Sequence, residues 1–344
     1  MNKICSFKWV VIAIASLLHE NAWGQAYLNF SKYSGGMNTE KVTNMQVVNG
    51  ETYVLGYTNS ADFPVTNGSI YKGGYDITLT KYGTDGAIIY STYIGGSSFE
   101  SGDSMKIVNG EVFIAGYTGS ADLPVTNGTA YGGSGDIFIA KINAAGGIVF
   151  YSYLGGNFME FLQAFEIIGN EIFITGDMES LGIPGNGPPG FFITKFSATD
   201  GSLILSEILD RNSLYEQAYI LNGAVYVVMT TYSIDLPVTI GNTPTVPATY
   251  GPYIYVTKLN SSDLSKVYSR YLYGNAGGQV SDFQIINGEA YLIGTTSSTD
   301  FPVTNGSSAS PALNDQDGFF TKLNVDGSIA FSTYLGTNDN DYLG

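Results

Sequence analysis

The chain has one cysteine, one histidine and two tryptophans in 344 residues, and all four lie in its first 24. Those residues read as a secretory signal peptide. Lys3 and Lys8 form a basic start, 9–18 an apolar core, and Ala22-Trp23-Gly24 a cleavage site before Gln25. Cys5 precedes the apolar core, which is the wrong place for a lipoprotein cysteine. Cleavage removes Cys5, His19, Trp9 and Trp23, so the mature chain has no cysteine, histidine or tryptophan. A histidine base, a cysteine nucleophile and His-ligated zinc are therefore excluded by inventory. Disulfides are excluded too, and a hydrophobic core must hold the chain together.

Basic charge is also scarce. There are 14 Lys+Arg against 30 Asp+Glu, a net charge of −16. The mature chain keeps 12 of the basic and 29 of the acidic residues, which leaves it near −17. Nucleic acid is not expected as a partner, because binding needs a basic footprint. Adsorption to anionic lipid is disfavoured for the same reason. No later stretch approaches 18 apolar residues, so no membrane insertion is expected in this chain.

What the chain has is repetition. VVNGETY (47–53), IVNGEVF (107–113), IIGNEIF (167–173), ILNGAVY (220–226) and IINGEAY (285–291) each place Asn-Gly or Gly-Asn between alternating runs. Such pairs are the strongest short-range hairpin signal, since a type I′ turn needs positive φ at both central residues. The third-strand pattern recurs as DITLTK (76–81), DIFIAK (136–141), GFFITK (190–195), YIYVTK (253–258) and DGFFTK (317–322). A fourth recurs as IIYSTYIGG (88–96), IVFYSYLGG (148–156), LILSEILDR (203–211), KVYSRYLYG (266–274) and IAFSTYLGT (329–337). In the first copy the strands fall at 43–48, 51–58, 76–82 and 87–94. Four short antiparallel strands in about 60 residues make one propeller blade.

The expected fold is an all-β propeller of at least five such blades, at 36–95, 96–155, 156–210, 211–274 and 275–336. Residues 337–344 open a further repeat, so the sequence reads as a piece of a larger propeller. NFSKYSGG (29–36) reads as one extra fourth strand, the offset by which propellers close a blade from both chain ends. High glycine (44) and tyrosine (26) fit an all-β composition.

These motifs resemble the bacterial β-propeller repeat family called SBBP repeats. The family pattern runs G-x-T-x-S-x-D-F-P-x-T, then D-a-F-x-x-K, then Y-S-T-Y-L-G-G. It matches GYTNSADFPVT (56–66), GYTGSADLPVT (116–126) and GTTSSTDFPVT (294–304), with the strands above. The match covers 27–344. Copies three and four depart from it: Gly182 replaces the Asp, and Met229 stands where a Gly belongs. The resemblance implies a large secreted or surface protein of Bacteroidetes type and no defined enzymatic activity.

The Ser-x-Asp-Phe/Leu-Pro element has Asp62 and Pro64, Asp122 and Pro124, Asp235 and Pro237, and Asp300 and Pro302. One reading puts a ring of carboxylates at a rim, for cations or sugar hydroxyls. The favoured reading is turn chemistry, with Ser and Asp accepting bonds from nearby backbone N–H groups and Pro fixing φ. Lys81, Lys141, Lys195, Lys258 and Lys322 end every third strand, and a structural salt bridge or carbonyl bond is expected of them. Asp and Lys five apart on a strand face opposite sides and do not pair directly. Weak calcium candidates are Asp103, Asp339 and Asp341, with Glu100 beside the first; otherwise no cofactor is expected.

The expected function is that of a non-enzymatic secreted or cell-surface module, a scaffold or a ligand and adhesion surface. Its partner would be an extracellular protein or polysaccharide. The irregular segments 182–190 and 237–253 are read first as drift in tolerant loops, and otherwise as where specificity would lie. Two other classes stay open: a polysaccharide lyase or glycosidase using paired carboxylates, and a receptor or sensor ectodomain.

Overall fold

The computed structural model describes residues 11–13, 31–127, 130–178, 190–245, 251–304 and 316–336. A two-stranded sheet pairs β1 (Val11–Ala13) with β2 (Ser31–Tyr33). The rest of the strands form five four-stranded antiparallel sheets, each a meander in chain order. Sheet one is β3 (Glu40–Val48), β4 (Glu51–Thr58), β5 (Asp76–Tyr82) and β6 (Ile88–Ile94). Sheet two is β7 (Glu100–Val108), β8 (Glu111–Thr118), β9 (Asp136–Ile142) and β10 (Ile148–Leu154). Sheet three is β11 (Glu160–Ile168), β12 (Glu171–Met178), β13 (Gly190–Ser197) and β14 (Leu203–Asp210). Sheet four is β15 (Ser213–Leu221), β16 (Ala224–Thr231), β17 (Tyr253–Asn260) and β18 (Lys266–Leu272). Sheet five is β19 (Gly278–Ile286), β20 (Glu289–Thr296), β21 (Asp317–Leu323) and β22 (Ile329–Leu335).

The hairpins explain the register. Asn49, Asn109, Asn222 and Asn287 all have φ near +50°, and each following glycine is positive as well. That is the type I′ pattern, whose twist matches the flanking strands. Sheet three differs, because among its turn residues Gly169 alone has positive φ (59°). It takes the II′ pattern, which asks for glycine only at the first position. First strands start earlier than expected, at Glu40 in sheet one. A bulge between Val42 and Asn44 keeps the longer strand in register, and sheets two, four and five carry the same device. The expected extra fourth strand at 29–36 is corrected. Ser31–Tyr33 is exposed and pairs only with β1, outside every four-stranded sheet.

The chain divides into two compact units. The first holds 1–172, 178–187 and 194–206, and the second 173–177, 188–193 and 207–344. In the first unit Leu55, Ile77, Leu79, Ile114, Phe138 and Tyr151 share one core. In the second Val228, Ile254, Phe283, Leu292 and Phe319 share another. Strands β5, β9 and β16 are buried along their whole length. Burial on both faces is why their sequences do not alternate cleanly.

Candidate functional site: the acid-paired seams

Successive sheets of the first unit meet at a short seam. Tyr75, just before β5, forms a parallel bridge with Phe99, just before β7, and Gly135 does the same with Met159. The seam fixes the next residues on each side. Glu100 N–H donates to Tyr75 O at 2.7 Å, which sets the Glu100 side chain beside that of Asp76. Glycine makes the room. A Cβ on Gly95 would sit 2.6 Å from both Asp76 Oδ1 and Glu100 Oε2. A Cβ on Gly155 would sit 2.5 Å from Asp136 Oδ1 and 2.6 Å from Glu160 Oε2. Each seam therefore holds two carboxylates over a bare glycine.

All four acids are buried: Asp76 and Asp136 are 0% exposed, Glu100 and Glu160 1%. Asp76 Oδ2 accepts the Lys72 N–H at 2.9 Å, and Asp136 Oδ2 the Gly132 N–H at 3.0 Å. Glu100 accepts Gly96 N–H and the Thr118 hydroxyl, both at 2.8 Å. The other oxygens, Asp76 Oδ1 and Asp136 Oδ1, have no hydrogen-bond partner. Burial pushes the Asp76 carboxyl up to about 7; the Lys72 N–H opposes this, while Glu100 adds to it. Burial likewise lifts Asp136 to about 6, against the Gly132 N–H. Desolvation of a charged oxygen without a donor disfavours the ionised form.

The second glycine of the pair seats the Ser-x-Asp element. A Cβ on Gly96 would meet Asp122 Oδ1 at 2.5 Å. Ser97 N–H and Ser98 N–H donate to Asp122 Oδ1 and Ser120 Oγ, each at 2.8 Å. Met37 and Asn38 do the same to Asp62 and Ser60, and Asn275 and Ala276 to Asp300 and Ser298. The donors stand more than twenty residues back in the chain, so the element ties two loops together and is more than a local turn. In sheet four Ser233 donates instead to Asp210, and Asp235 is exposed. Pro64, Pro124 and Pro237 are exposed and Pro302 half-buried. The buried Phe63 and Leu123 between Asp and Pro donate their N–H to Tyr93 and Tyr153, whose hydroxyls donate to Ser60 and Ser120 carbonyls.

The lysines find their partner in the opening hairpin. Lys81, Lys141, Lys195 and Lys322 lie 2.7–2.9 Å from Glu51, Glu111, Glu171 and Glu289. Sheet four has Ala224 there, and Lys258 sits over the Tyr226 ring at 5.1 Å. Asp103 is exposed on β7 and accepts the Ser101 hydroxyl. Asp339 and Asp341 lie outside the described residues, as do most of 182–190 and part of 237–253. Among the described residues no group of three or more His, Cys, Asp or Glu gathers as a metal centre. No helix among them is long and apolar enough to cross a membrane. The pairing of the seam acids escaped the sequence reading, which set Glu100 beside Asp103 alone, because the two carboxylates of a pair sit in different repeat motifs. Glycine in front of both was the available signal.

No family model matches the chain, and no curated protein matches it. Among solved structures, an apocarotenoid oxygenase mutant from Synechocystis aligns at TM-score 0.43 and 9% identity, over 85% of this chain and 60% of that one. A lignostilbene dioxygenase from Pseudomonas brassicacearum aligns at 0.44 and 8%, over 88% and 65%. A hydrazine synthase from Kuenenia stuttgartiensis aligns at 0.39 and 8%, over 78% and 64%. The chain thus spans less than two thirds of their length. Scores this low carry neither a fold nor an activity across. These structures are nonetheless enzymes by name, and a further Synechocystis oxygenase structure is cobalt-substituted. The expectations of a non-enzymatic module and of a chain without a cofactor are withdrawn on chemical grounds, not on these alignments. The physical reason is that a missing histidine and cysteine exclude only some chemistries. Carboxylates alone can ligate metals or move protons, and one architecture hosts many activities.

Proposed function

We propose that this chain is an exported β-propeller of the kind its SBBP-like repeats resemble, and that its seam acid pairs take up positive charge when the sheets assemble. The five sheets are its blades, and residues 1–24 are its export signal. One observation carries the charge reading: Asp76 Oδ1 and Asp136 Oδ1 are buried without a donor, each beside a second buried carboxylate. Two carboxylates in one dry space, with an aspartate oxygen that has no donor, disfavour the doubly ionised pair. Lys72 is exposed, so solvent screens its attraction for Asp76.

The test is thermal unfolding of the Asp76→Asn/Asp136→Asn double variant at pH 8 in excess chelator. Asparagine keeps the shape and the backbone hydrogen bond, removes one charge per pair and adds an N–H donor. It should melt several degrees above the unsubstituted protein. An equal or lower melting temperature would overturn the reading.

A further inference from the structure

We infer that each seam pair, Asp76 with Glu100 and Asp136 with Glu160, is a binding site for one divalent cation of the calcium type. The inference rests on the charge reading above and names the ligand.

Three features of the seam carry it. First, the orphaned oxygens belong to aspartates that are fully buried, and each lies beside an oxygen of the glutamate of the next sheet, over the same glycine. Second, the lengths fit. Asp76 Oδ1 and Glu100 Oε2 stand at 2.6 Å from a common point, and Asp136 Oδ1 and Glu160 Oε2 at 2.5 and 2.6 Å from theirs. Calcium–oxygen distances run about 2.3–2.6 Å. An ion displaced from that point, away from the glycine Cα, can touch both oxygens at such a length. Third, the charge fits. Two carboxylates carry two negative charges, which one divalent ion neutralises and one monovalent ion does not. The ligands are all hard oxygens, and residues 25–344 hold no cysteine or histidine to favour zinc or copper.

The seam joins strand three of one sheet to strand one of the next, so the ion bridges two sheets. Its binding would lock them as the parallel bridges Tyr75–Phe99 and Gly135–Met159 already begin to do.

The measurement is calcium titration of the full chain by calorimetry, with melting temperature followed in parallel. We expect one ion per pair and a rise in melting temperature with calcium. Asp76→Asn and Asp136→Asn should each weaken one site by about tenfold or more, and the double variant should lose the calcium-dependent rise. Glu100→Gln is a second variant for the first seam, in case an aspartate variant folds poorly. An unsubstituted chain that takes up no calcium and gains no stability overturns the inference. If the unsubstituted chain takes up no calcium while the double variant still melts higher in chelator, the charge reading survives and the ion does not. If calcium binds but the variants bind it equally, the site lies elsewhere and the inference also fails.

Discussion

The seam between sheets one and two and the seam between sheets four and five occupy the same place in the repeat, yet opposite chemistry fills them. The first has Asp76, Gly95 and Glu100. At the matching positions the second has Tyr253, Tyr273 and Gly278. Tyr253 and Tyr273 meet edge to face at 5.7 Å, and both approach Tyr271. A backbone bond persists, since Gly278 N–H donates to Pro252 O at 2.9 Å as Glu100 N–H does to Tyr75 O. The bridging backbone is common to both, and the filling is free. Where the strand-three residue is an acid, the strand-four end is glycine; where it is tyrosine, the glycine becomes tyrosine too. The start of β13 and the end of β14, both in the second unit, show a third solution. Gly190 stands in the aspartate's place and Asp210 in the glycine's, with the Asp210 carboxylate taking the Ser233 hydroxyl and the Arg211 N–H. An aromatic seam gains apolar burial outright. An acid seam costs stability until something positive arrives. The acid pair is thus not demanded by the geometry of the repeat.

The largest expected break in this contrast is Gly155→Ala. The new Cβ would lie 2.3 Å from Asp136 Cγ and 2.6 Å from Glu160 Oε2, so the acid pair must move or the seam must open. Overpacking of this kind costs about 1–3 kcal/mol, and the carboxylates' lost bonds add to it. Denaturant unfolding should show a drop of about 3 kcal/mol or more. A loss below about 1 kcal/mol would mean that the seam is soft and the glycine incidental.

A feature that both regions share comes next. Tyr93→Phe in the first and Tyr271→Phe in the second each remove one hydroxyl and strand the buried N–H of Phe63 or Leu236. They also free the carbonyls of Ser60 and Ser233. An unsatisfied buried donor costs about 1–3 kcal/mol. The two variants should lose the same amount in the same unfolding assay. A loss confined to one would show that the loop anchor is not a property of the repeat.

Much of this was legible in the sequence, because hairpins and strands are local. Asn49-Gly50 and its equivalents announced their turns, and DIFIAK and its equivalents announced the third strand of each sheet. The seam was not legible. Asp76, Gly95 and Glu100 lie in three motifs, and only the parallel bridge at Tyr75 and Phe99 brings them together. Ser-x-Asp-Phe-Pro looked like self-contained turn chemistry for the same reason, since its donors come from a loop more than twenty residues back. The partner of four of the five third-strand lysines was in plain view, as the glutamate after the opening Asn-Gly or Gly-Asn. Diagonal pairing across a hairpin and its neighbour strand is what joins them. Glu51 starts β4 while Tyr53 stands opposite Lys81.

That lysine pair gives the smallest and most local sharpening of the contrast. In the first unit Lys195 has a side chain with 0% exposure against Glu171; in the second Lys322 is 28% exposed against Glu289. Glu171→Gln leaves an enclosed ammonium with less compensation. Glu171 itself is a third exposed, so solvent screening reduces the full buried-pair penalty to about 1–2 kcal/mol. Glu289→Gln breaks a pair that water already screens, and the melting temperature should not move measurably. Raising the salt concentration should therefore leave the Glu171→Gln deficit largely intact, because mobile ions reach an enclosed lysine poorly. Equal effects of the two substitutions would show that enclosure of the lysine does not set the strength of these pairs. The Lys258 arrangement, an ammonium over the Tyr226 ring with no glutamate, would then be as good a solution as any of the four ion pairs.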